Sequence, residues 1–123
     1  MPHQLKLAFA AAVLLLAACE KEVEAPRIKT ACWHMVAGAG EDAPPKFNRL
    51  PGRYEQMEYC AAALERVRQD GGRQAITGAY QGLFIFATQR GIFFAKSLDG
   101  PRYLALVRTG RGTLAPPSAM RAY

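Results

Sequence analysis

The sequence predicts an α+β fold: one amphipathic helix packed on a small antiparallel β-sheet, in the order β-α-β-β-β-β. Apolar residues recur at helical spacing between Arg53 and Gln69. After them come short runs rich in aromatic and β-branched residues, "GLFIFAT", "GIFFAKS" and "RYLALVR", separated by turn residues. A chain of 123 residues, half of them hydrophobic, supports one modest core. No internal repeat and no second domain are visible, and residues 28–112 read as the single folded unit.

The first strand falls in Ile28–Val36, "IKTACWHMV". Alternation puts Ile28, Thr30, Cys32, His34 and Val36 on one face, Trp33 and Met35 on the other. Residues 37–52, with three glycines and three prolines, read as a long loop pinned by Phe47 and Leu50. In the helix, Met57, Cys60, Ala61, Leu64 and Val67 or Arg68 form one apolar stripe. Glu55 and Glu58 near its start and Arg66 and Arg68 near its end suit the helix dipole. Asp70-Gly71-Gly72 stops it. Glu58 and Glu65 share a helix face expected to be solvated. Residues 73–77 form a short, weak strand; 82–88, 91–97 and 102–108 complete a meander through Gln89-Arg90 and Asp99-Gly100. The glycine-spaced "TGAYQG" has no helix after it to hold a phosphate, so it reads as a turn or a close backbone approach. Residues 113–123, with Pro116-Pro117, form a loosely ordered C-terminal tail. The runs "LFIF" and "IFF" exceed what one covered sheet face requires. Either the sheet curls around the helix, or its second face meets something else.

The amino terminus has a different character. One lysine and the free amine precede the apolar run 7–18, and twelve apolar residues are too few for a bilayer span, which needs about 20. The pattern is that of a secretory signal peptide, residues 1–18. Leu16-Ala17-Ala18-Cys19 resembles the lipobox of bacterial prolipoproteins at all four positions. That resemblance covers only residues 1–19. It implies cleavage before Cys19, a thioether-linked diacylglycerol on its sulfur, and usually a third acyl chain on the new amino terminus. Two or three acyl chains hold a protein stably on a membrane where one is marginal. The implied location is the cell envelope, lipid-anchored and facing the periplasm. Glu20 rather than aspartate after the cysteine favours the outer membrane over the inner. Residues 19–27 then form the lipidated cysteine and a polar tether. Processing leaves 105 of the 123 residues, with 15 basic and 10 acidic side chains. Outside the cytoplasm such a charge favours acidic lipid head groups or acidic envelope polymers. No nucleic-acid motif appears.

With Cys19 acylated, Cys32 and Cys60 remain as an even pair in an oxidising space, which favours a structural disulfide. Cys60 lies within the helix stripe and so faces the core. Two alternatives stay open: a metal site using Cys32, His34 and Cys60, and a pair of free thiols. No catalytic residue is assigned. His34 is the one histidine after signal cleavage, and neither Ser97 nor Ser118 sits in a nucleophile-elbow context. No cofactor is implied. Phe84, Phe86, Phe93, Phe94 and Tyr103 are either core or the lining of an apolar groove for a lipid tail or a partner surface. Arg90, Arg102, Arg108 and Arg111 lie at strand ends and would rim such a groove. The expected function is a small membrane-anchored envelope lipoprotein with a non-catalytic binding or accessory role. The alternative is a periplasmic enzyme or metal-binding protein using His34.

Overall fold

The computed structural model describes residues 22–116, so the signal stretch, Cys19 and the chain beyond Pro116 lie outside the described residues. The strands are β1 (Cys32–Val36), β2 (Lys46–Arg49), β3 (Ala75–Tyr80), β4 (Leu83–Thr88), β5 (Gly91–Ala95), β6 (Tyr103–Arg108) and β7 (Leu114–Ala115), with one helix, α1 (Met57–Asp70), between β2 and β3. They form a single antiparallel sheet in the order β2-β1-β3-β4-β5-β6-β7, with α1 on one face. The α+β class is as the sequence predicts. The expected β-α-β-β-β-β order gains two edge strands.

Both additions are short. β2 lies inside the stretch read as a loop; its four residues, Lys-Phe-Asn-Arg, hold one apolar side chain, and its register pairs Met35 with Phe47. β7 pairs only with Val107 and Arg108. β5 also ends at Ala95 rather than Ser97, and the three largest boundary shifts have local causes. β1 begins at Cys32 rather than Ile28 because a turn at Lys29-Thr30, with Thr30 at φ 63°, interrupts the extended chain. α1 begins at Met57 rather than Arg53. The Tyr54 N–H is committed to the Thr30 carbonyl at 2.9 Å, and Gln56 takes the extended conformation of a helix cap. β3 runs to Tyr80 because Gln81 and Gly82, at φ 48° and 83°, make the two-residue turn into β4. Both residues on the left-handed side give the turn whose twist matches a hairpin.

α1 lies across β3 and β4. Cys60, Ala61 and Leu64 pack against Ile76, Tyr80, Ile85, Ala87 and Ile92. Burying each large aliphatic side chain contributes about 1.5–3 kcal/mol. The helix can approach this closely because β3 carries Gly78, where any Cβ would meet the Leu64 side chain and the Trp33 carbonyl oxygen. The Cys32–Cys60 disulfide joins β1 to α1 with a Cα–Cα distance of 5.4 Å, both residues fully buried. Tyr80, on the strand beside Cys32, donates its hydroxyl to the Tyr54 carbonyl at 2.8 Å and fixes the chain entering the helix.

Glu65 departs from expectation. It is 6% exposed rather than solvated. Its carboxylate accepts from Arg68, one turn on, and from Arg108 of β6 at 2.5 Å. Arg108 also donates to the carbonyls of Gln89 and Thr88, so one arginine ties α1, the β4–β5 turn and β6 together.

The second face of the sheet is also covered, though only in part. Val23 and Ala25 pack against a cluster containing Ala79, Phe84, Phe86 and Ala95, and Gly82 donates its N–H to Pro26 at 2.8 Å. Residues 22–27, read from sequence as tether, therefore belong to the domain. This is what meets the surplus aromatic face: Phe84 is fully buried beneath it.

Candidate functional site

The pleat sorts the candidate residues onto two faces. On β4, Phe84 and Phe86 point away from the helix, while Ile85 and Ala87 point towards it. The β4–β5 register sets Phe86 opposite Phe93 and Ile85 opposite Phe94. Phe93 therefore joins the second face, and Phe94 lies on the helix side, where its ring meets Tyr103 at a centroid distance of 5.9 Å. Phe84 is core, packed at 6.4 Å from the Phe47 ring.

Phe86, Phe93 and Arg102 do come together. The Arg102 guanidinium lies over the Phe86 ring, 3.6 Å from its centroid. A cation held this way gains about 0.5–2 kcal/mol, depending on its desolvation. Beside it is an open cleft of about 410 Å³, lined by Gln74, Ala75, Thr88, Gln89, Arg90, Phe93 and Arg102. The floor is apolar, the rim carries two cations and two amides, and no acidic side chain lines it. The rim is shaped locally by Thr88. Its hydroxyl donates to the Gly91 carbonyl at 2.9 Å and accepts the Arg90 N–H at 3.1 Å, so the β4–β5 turn is held from within. Chemically, the cleft suits an anionic group resting against a phenyl ring, with guanidinium and amide donors around it.

Arg108 does not rim this cleft. Adjacent strand residues point to opposite faces, and its side chain goes to Glu65 on the helix side. Arg90, one of the strand-end arginines that the sequence offers as a groove rim, is the second cation of the cleft.

His34 lies on the helix face of β1, opposite Gly78 and Asn48. Its Nε2 is buried without a hydrogen-bond partner. Burial, aided by the Arg73 charge, lowers its pKa below the usual histidine value, so the neutral ring is favoured. The three-ligand metal set of Cys32, His34 and Cys60 fails, because the two sulfurs are bonded to each other. Among the described residues, no group of three histidine, cysteine, aspartate or glutamate side chains is placed to hold a metal ion.

Among the described residues no helix is long and apolar enough to cross a membrane. No family model, curated protein or solved structure matches the chain.

Proposed function

We propose that this chain is a small envelope lipoprotein, anchored through acyl chains on Cys19, whose non-catalytic role is to hold an anionic head group at the membrane surface. The reading rests on one observation: the Arg90–Phe93–Arg102 cleft opens on the same sheet face over which the amino-terminal segment runs. With Val23 and Ala25 packed on that face, only Glu20, Lys21 and Glu22 separate Cys19 from the sheet. Three residues reach at most about 10 Å. An acylated Cys19 would therefore hold this face near the lipid head groups, with the helix on the far side. The acyl chains supply most of the membrane affinity, and the arginines orient the domain and select anionic lipid. A basic side chain near an anionic surface contributes about 1 kcal/mol.

The test uses the unacylated form, residues 20–123, on vesicles of phosphatidylcholine with and without phosphatidylglycerol. Binding is expected only when the anionic lipid is present. Arg90→Gln and Arg102→Gln should each weaken it about fivefold. Arg66→Gln, on the exposed side of α1, should leave it unchanged. Equal binding to both vesicle types, or equal losses in all three variants, contradicts the reading. Inorganic phosphate as competitor separates recognition of a free anion from recognition of a lipid surface.

A further inference from the structure

One apolar row crosses the sheet face that carries the cleft. Register sets Phe86 of β4 opposite Phe93 of β5, and Phe93 opposite Leu104 of β6. Side chains opposite one another share a face and stand about 5 Å apart, so the three form a line. Exposure rises along it. Phe86 is 4% exposed beneath the Arg102 guanidinium, Phe93 is half-buried, and Leu104 is 42% exposed. Phe93 is both the middle of this row and part of the cleft lining. Alternation independently puts Leu104 on the face of Arg102, two residues before it. The extra residue of β6, Ala105, falls after Leu104 and leaves this placement intact.

The cleft is larger than an anionic group alone requires. Water occupies about 30 Å³ per molecule, so a phosphate, the size of about three waters, takes only a fraction of the 410 Å³. Clefts upward of about 300 Å³ hold whole small ligands. No acidic side chain lines this one, so a negatively charged ligand meets complementary charge. The row beside it has no side-chain hydrogen-bonding group and gains only by covering apolar surface.

We infer that the cleft takes an anionic phospholipid of the membrane by its phosphate and by the first part of an acyl chain, which lies along Phe93 and Leu104. The inference rests on the head-group reading above and adds that the ligand is amphipathic. The arginines select charge, and the apolar row separates a lipid from a water-soluble phosphate. Burying two methylenes is worth about tenfold in affinity.

The experiment titrates the unacylated chain, residues 20–123, with two soluble probes, following backbone amides by NMR. One is dihexanoylphosphatidylglycerol below its micellar concentration; the other is glycerophosphoglycerol, the same head group without acyl chains. The lipid is expected to bind at least about tenfold more tightly. Leu104→Asn should remove that difference, leave glycerophosphoglycerol binding unchanged, and melt as the parent does. Arg102→Gln should weaken both probes. Equal affinity of the parent for the two probes overturns the inference and leaves the head-group reading standing, as does a Leu104→Asn protein that binds the lipid like the parent. Lipid binding that is indifferent to Arg102→Gln, or matched by dihexanoylphosphatidylcholine, overturns both. Leu104→Asn should also weaken binding to phosphatidylglycerol vesicles. Undiminished vesicle binding would make the ligand a free amphiphile, against the inference.

Discussion

Glu65→Ala is expected to cost about 3–5 kcal/mol, because it strands Arg68 and Arg108 without their shared carboxylate. All three groups are largely withdrawn from water, with side-chain exposures of 8%, 9% and 23%. Domains of this size carry about 5–15 kcal/mol of stability, so the loss is a large share. Chemical denaturation should show a lower midpoint with an unchanged slope, and Tm should fall by roughly 15–30 °C. Glu65→Gln keeps shape and one acceptor while removing the charge, so it separates packing from ion pairing. Arg108→Leu should cost less than Glu65→Ala, because Glu65 keeps Arg68. A double-mutant cycle between Glu65 and Arg108 would give their coupling directly. If Glu65→Ala melts within a few degrees of the parent, the triad is not what holds α1 to β6.

Replacing Cys32 and Cys60 together by alanine is expected to cost about 3–4 kcal/mol. The bridge closes a loop between residues 28 apart in sequence. In the chain-entropy description most of the stabilisation comes from restricting the unfolded chain. That loop contains β2 and the irregular stretch before α1, the part of the domain with the least apolar content of its own. Without the bridge, residues 37–56 should show the largest rise in hydrogen exchange, while β3, β4 and β5 keep their protection. Because both sulfurs are buried, a mild reductant should act only on the denatured protein. Rapid reduction of the folded protein would contradict the buried placement.

What could be read in the sequence follows from the strength of each local pattern. The helix stripe and the three aromatic strands carry strong periodicity, and the structure has them within a few residues of their expected bounds. β2 and β7 were not legible. Four mostly polar residues and a two-residue strand hold no pattern, and they exist because β1 and β6 offer edges to pair with. Glu65 was misread because a glutamate in an amphipathic helix ordinarily faces water. One of its partners lies 43 residues away, beyond the reach of any local rule. The packed amino-terminal segment did leave a signal: Glu22-Val23-Glu24-Ala25 alternates with period two, as a half-buried extended chain does. Its charge and its Ala-Pro ending concealed this. For the cleft, Phe86, Phe93 and Arg102 were legible as residue types. Their separation from Phe94 and Arg108 needed the register, since neighbours on a strand point to opposite faces.

Acylation at Cys19 decides whether the arginine cleft meets a membrane at all. The most direct measurement is the intact mass of the protein recovered from membranes of a bacterium expressing the full 123-residue chain. The expected species begins at Cys19 and carries a diacylglyceryl group, with or without a further amide-linked acyl chain. An unmodified polypeptide that still contains Met1–Ala18 would contradict the anchor, and with it the apposition of the cleft to lipid.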